Sequence, residues 1–130
     1  MPSSERTGVP VAGVLVAGMK GCVIALDRAL GRERWRTRIE TGDALVAIAR
    51  MDHLVLAAGR ERLACLGLAD GTLVWHTRLS PGPTGRALLS VEGERIVVQR
   101  GGLVECFDRD GARIWSWRTE ASGELDVSAV

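Results

Sequence analysis

Lysine is almost missing from this sequence: Lys20 stands alone, and every other basic side chain is arginine or histidine. That bias points to a GC-rich, bacterial genome rather than to a binding site. An excess of either charge is missing too, since 17 Lys and Arg meet 16 Asp and Glu for a net charge of +1. So balanced a chain has no large electrostatic attraction to nucleic acid or to an anionic membrane surface, and neither partner is expected. Apolar runs of the roughly 18 residues that a membrane helix needs are absent. Cysteine is scarce and odd in number: Cys22, Cys65 and Cys106, with no pair at C-x-x-C spacing. Each lies in an apolar run, where a free thiol packs as a small hydrophobe. Reduced core cysteines predict a cytoplasmic protein. Residues 8–19, GVPVAGVLVAGM, have something of the apolar core of an export signal. Glycine interrupts that run, however, and the repeat below claims Val14 to Ala17 as a strand, so a secreted or periplasmic location is not expected.

Catalytic constellations are also missing. His53 and His76 with three scattered Cys do not match zinc-ligand spacing. Ser3, Ser4 and Ser90 have no nucleophile-elbow context. No catalytic, cofactor-binding or metal-binding residue is therefore named, and no enzyme and no cofactor are expected.

What is present is a period. Gly31 precedes Trp35 by four residues, Gly71 precedes Trp75 and Gly111 precedes Trp115, forty residues apart each time. Arg38, Arg78 and Arg118 keep the same step. A fixed period of this length signals a repeat architecture. The repeats hold short Val/Ile/Leu-rich runs separated by turn residues, which read as strands. Asp70-Gly71 and Asp110-Gly111 are hairpin signals, because such turns need a residue tolerant of positive φ. Helix is disfavoured, since glycine interrupts every window at helical period. ALVAIARM at 44–51 is ambiguous by itself, but its counterpart ALLSVEG at 87–93 favours strand for both.

The unit then has four strands: Ala44 to Ala49, Leu54 to Ala58, Leu63 to Leu68, and Thr72 to Leu79. Four antiparallel strands in 40 to 45 residues make a β-propeller blade. The expected organisation is a flexible tail at 1–10, then one domain over 11–130. That domain comprises repeats at 11–43, 44–83 and 84–122 and a closing strand at 123–130. The first repeat has no room for an opening strand, whereas 123–130 aligns with the opening strands of the other two.

Ala25-Leu26-Asp27-x-x-x-Gly31-x-x-x-Trp35 resembles the repeat of the quinoprotein (PQQ-like) β-propellers, A-x-D-x-x-x-G-x-x-x-W. The second copy keeps Gly71 and Trp75 but has Gly67 in place of the Asp. The third keeps Gly111 and Trp115, with Asp108 displaced by one position. The resemblance implies that Trp35, Trp75 and Trp115 dock on neighbouring blades and that the Gly residues make the outer turns. It also implies, for the family's enzymes, a quinone with Ca2+, carboxylate ligands and a disulfide between adjacent Cys. No two Cys are adjacent here, so the quinone enzyme is rejected.

Among the arginines, Arg36, Arg38, Arg78, Arg100, Arg113 and Arg118 stand out. Arg38, Arg78 and Arg118 lie three residues beyond each Trp, on the opposite strand face. They are expected either to form a solvated edge that blocks strand pairing or to offer an acidic protein a docking belt. Three blades are too few to close a ring, since propellers have 4 to 8. The expected repair is a homodimer of six blades, the commonest closed assembly being two-fold. The alternatives are a piece of a larger propeller and an arc completed by a different protein. The functional expectation is a non-enzymatic scaffold or adaptor for protein–protein interaction; the alternatives are a module holding a small ligand in the central channel and a degenerate enzyme. If the C-terminal strand Glu124 to Val130 of each chain completes the first blade of the other by strand exchange, removing residues 123–130 should destroy the assembly. A truncated chain that remains a folded dimer by light scattering would refute the exchange.

Overall fold

The computed structural model describes residues 13–40, 46–82 and 85–119. Among them every regular element is a strand: β1 (Val14–Met19), β2 (Cys22–Asp27), β3 (Glu33–Arg38), β4 (Ala47–Met51), β5 (Leu54–Ala58), β6 (Arg62–Gly67), β7 (Leu73–Arg78), β8 (Leu88–Glu92), β9 (Arg95–Arg100), β10 (Leu103–Phe107) and β11 (Arg113–Arg118). No helix among the described residues is long and apolar enough to cross a membrane. The strands form three antiparallel sheets in chain order, β1-β2-β3, β4-β5-β6-β7 and β8-β9-β10-β11. Each is a meander, which needs only tight turns between neighbours. The expected all-β blade architecture is what the chain adopts. The tail 1–10 and the strand expected at 123–130 lie outside the described residues.

The register repeats with the sequence. Ala25 faces Trp35, Cys65 faces Trp75 and Cys106 faces Trp115, and an irregularity follows each pair at the next residue. A bulge there bends the strand into the turn that carries the repeat glycine. The opening strand of the second sheet ends at Met51 rather than Ala49, because the turn is made by Asp52 and His53, with Asp52 at φ 56°. The third and fourth strands, at Arg62–Gly67 and Leu73–Arg78, are also displaced slightly from their expected limits, while Leu54–Ala58 is as expected.

The middle sheet is buried on both faces, which explains its continuous apolar runs. Val55, Ala57, Ala64 and Leu66 pack against Val14, Val23, Ala25 and Trp35 of the first sheet. Leu56, Ala58, Leu63 and Cys65 pack against Ile96, Val98 and Phe107 of the third. Successive residues of one strand thus serve two different cores, as the two-residue period of a strand allows. The inner strands β4 and β8 lie side by side.

One ion pair is sealed into the second of these interfaces. Arg100 and Glu105 are both almost fully buried. Arg100 Nη2 donates to Glu105 Oε1 at 2.9 Å and to the Ser80 carbonyl at 2.7 Å, and its Nη1 donates to the Arg60 carbonyl at 2.7 Å. Ser80 Oγ donates to Glu105 Oε2 at 2.7 Å, and Arg113 Nε donates to the same oxygen at 3.0 Å. The network ties Arg60 and Ser80 of the second blade to three side chains of the third. Among the described residues no buried side-chain polar atom lacks a partner. Arg100, one of the arginines that stand out in the sequence, is thereby a buried structural residue.

Burial works to raise the pKa of Glu105, but the Ser80 and Arg100 hydrogen bonds and the Arg113 charge outweigh it and hold the carboxyl below its ordinary value. A folded pKa below the unfolded one adds stability that is fully present above the unfolded value of about 4.3 and is lost as pH falls through the folded value. Urea midpoints should therefore decline below about pH 4, and less steeply in Glu105→Gln. That variant should also lose about 3 kcal/mol at neutral pH, because it strands the Arg100 charge. Combining Arg100→Met with Glu105→Leu should recover most of the loss, as apolar replacements of buried pairs often do. A Glu105→Gln protein as stable as its parent would show the pair to be dispensable.

Candidate interaction surfaces

The repeat Trp and Gly meet between blades, not within them. Trp35 leaves β3, and its indole Nε1 donates to the Leu68 carbonyl of the second blade at 2.9 Å. Its ring covers Gly71: a Cβ there would clash with Cε3 and stand 2.6 Å from Cδ2. Beside it Thr37 Oγ1 donates to the Gly71 carbonyl at 2.7 Å. Trp75 repeats the arrangement one blade on. Its Nε1 donates to the Arg109 carbonyl at 3.0 Å, and a Cβ on Gly111 would stand 2.7 Å from its Cε3. Gly71 and Gly111 have φ of 78° and 90°, a conformation that costs an L-residue roughly 1–2 kcal/mol. Two requirements therefore converge on one residue: the turn needs positive φ, and the indole needs bare backbone.

Aspartates shape the same turns. Asp27 Oδ1 accepts from the amides of Ala29 and Leu30, and Asp108 Oδ1 accepts from those of Asp110 and Ala112. The second blade has Gly67 at the Asp27 position, and Asp70 Oδ1 accepts from the Thr72 amide instead.

The third Trp and the first Gly have no such neighbour. Trp115 is 46% exposed and Trp117 49%, on the face of the third sheet that points away from the second. Leu88 is 56% exposed there. At the other end Gly31 has φ 74°, yet no described atom lies within 4 Å of where its Cβ would be. Leu15 and Met19 are exposed on the outward face of β1, and Leu30 beside Gly31 is 66% exposed. The arc thus ends in one uncovered indole and one uncovered glycine turn. The expectation that all three Trp are docked alike holds for Trp35 and Trp75; Trp115 has no blade to receive it among the described residues. Trp117 was not singled out by the repeat, although its replacement of Thr37 and Thr77 was a visible departure.

Arg38, Arg78 and Arg118 are all exposed. Arg38 lines an open cleft of about 280 Å³ between the first two blades, with Glu40, Arg62 and His76. Arg78 lines one of about 350 Å³ between the second and third, with Arg60 and Glu61. Both clefts mix charges of the two signs. Cys65 is buried, which pushes its thiol up to about 11 and leaves it no thiolate character at neutral pH. The quinone cradle implied by the repeat fits poorly. The three Cys lie one per sheet, and both oxygens of Glu105 are engaged by Arg100, Arg113 and Ser80. Among the described residues no three His, Cys, Asp or Glu lie together where they could hold a metal ion.

The family model described as outer membrane protein assembly factor BamB matches residues 19–129. No curated protein matches the sequence significantly. Among solved structures, BamB from Moraxella catarrhalis superposes with a TM-score of 0.63 at 21% identity, over 82% of this chain and 34% of its own. The quinohemoprotein alcohol dehydrogenase of Comamonas testosteroni gives 0.65 at 21% identity, over 82% of this chain and 19% of its own. A europium-containing methanol dehydrogenase gives 0.66 at 15%, over 83% and 23%. At these identities the likeness is one of fold, and the chain spans about a third or less of each structure's length. An assembly factor and two dehydrogenases share the fold, so fold alone does not separate binding from catalysis. The matching family is named for outer-membrane protein assembly, which overturns the cytoplasmic expectation. That expectation rested on unpaired thiols, but Cys65 and Cys106 are unpaired because they sit buried in separate sheets, whatever the compartment.

If glycine at position 71 serves both the turn and the indole, Gly71→Ala should cost clearly more than Gly93→Ala. Gly93 also has positive φ, at 64°, but nothing lies within 4 Å of its Cβ position. The expected losses are about 1 kcal/mol for Gly93→Ala and roughly 3 for Gly71→Ala, read from urea unfolding. Equal losses would mean that the indole contact adds nothing.

Proposed function

We propose that this chain, which belongs to the family of the outer membrane protein assembly factor BamB, is a non-enzymatic β-propeller scaffold that binds protein through its end blades. One observation carries the reading: the third blade presents Leu88, Trp115 and Trp117 to solvent on the face that, in the other blades, is covered by the next blade. Large apolar side chains exposed on one sheet face mark an interaction site, and tryptophan is among the residues most enriched at energetic centres of interfaces. A blade is also the natural occupant, since the face already has the shape of a blade interface. Completion by a second copy is the simplest case. The exposed Arg38, Arg78 and Arg118 form a secondary edge for acidic segments of a partner. The matching family is named for an assembly role, which agrees with a binding function for the fold.

The test is a photo-crosslinking residue placed at position 117 and activated in cells. Protein adducts of defined mass are expected. A protein that stays uncrosslinked, and whose melting temperature instead rises with a small metabolite, would replace the scaffold with a ligand-binding module.

A further inference from the structure

The two uncovered ends match each other, and we infer that a second copy of this chain seats its Trp115 over Gly31, and the reverse, closing two arcs into one ring. The inference rests on the reading that the end faces bind protein, and it names the partner and the contact. The first argument is continuity. Trp35 on Gly71 and Trp75 on Gly111 are two copies of a single interface, and Trp115 with Gly31 supplies the two missing halves of a third. Gly31 has the φ of its two counterparts, so the turn is already in the docking conformation. Arg28 holds the turn position whose counterpart, Leu68, presents its carbonyl to Trp35.

The second argument is a paired departure from the repeat. At the inner joints, Thr37 and Thr77 follow the Trp by two residues, and Asp70 and Asp110 precede the receiving Gly. Thr37 meets Gly71 through a hydrogen bond. At the free ends both positions turn apolar together: Trp117 replaces the Thr, and Leu30 replaces the Asp. Both are exposed. Leu30 precedes Gly31 and Trp117 follows Trp115 by two residues, so joining the ends would bring both changes to the same joint. An unrelated partner for either end gives no reason for the other to change. When both joints form between the same two chains, the ring is closed and two-fold and assembly stops at two.

The experiment measures mass by light scattering on the full 130-residue chain of 13.9 kDa. The parent should have twice the chain mass. Trp115→Ala should leave a folded monomer, as should Gly31→Asn. Asn tolerates positive φ but places a side chain where the indole must lie. Gly93→Asn imposes the same backbone cost at φ 64° away from any joint and should remain two chains. Each joint mutation should weaken the dimer by at least about a hundredfold, since both joints of the ring are hit. An equimolar mixture of the Trp115→Ala and Gly31→Asn chains should regain the mass of two, because one joint of the mixed ring is intact. A monomeric parent, a polymer, dimers that survive both mutations, or a mixture that stays monomeric would each overturn the inference. A monomeric parent that still crosslinks from position 117 to other proteins would overturn only the second copy and leave the scaffold reading standing.

Discussion

An indole ring lying flat on the backbone of a glycine turn is the contact on which the rest of this structure depends. A sheet with two apolar faces cannot stand alone in water, so every blade needs a neighbour on each side. The neighbour must also be held at a set angle, or the strands would slide. The Trp35 ring over Gly71, anchored by its N–H on the Leu68 carbonyl, does both. It buries aromatic area and gives one directional hydrogen bond. Because the glycine must be at positive φ for its own turn, local conformation and inter-blade packing are set by the same residue.

The interface between the second and third blades adds a polar lock of a different kind. Glu105 is an acid in the middle of an apolar strand, and its burial is tolerable only because Ser80, Arg100 and Arg113 converge on it. Such a network adds little net stability over a well-packed apolar core, but it penalises any other arrangement of the two sheets. The joint between the first and second blades has no equivalent: Ile24 and Ala64 stand where the third blade has Glu105. The three blades are alike in backbone and unlike in how they are fastened. That difference matters for function because the outermost joints, left uncovered, are the places where another blade can attach.

Much of the fold could be read from the sequence because turns and strands are local. Gly31, Gly71 and Gly111 announce positive φ, and short Val/Ile/Leu-rich runs between them announce strands. The same reasoning misjudged compartment, since an unpaired cysteine reports only that no second thiol is near. It singled out Arg100 without giving it a place, because the groups that hold it are spread along the chain. Glu105, five residues on and on the facing strand, and the Arg60 and Ser80 carbonyls of the second blade hold it out of solvent. Trp117 and Leu30 were legible as oddities of the repeat but not as a pair, because they lie at opposite ends of the chain.

By itself the sequence determined the period, the strands and the turn residues. Those depend on φ preferences and on the β propensity that each short segment carries within itself. Which indole is covered, which arginine is buried and which faces are left bare were decided only by the tertiary structure. Trp35 and Trp115 occupy the same place in the repeat and differ only in whether another blade stands beside them. Burial is a property of neighbours more than thirty residues away, and no segment of the chain states it alone.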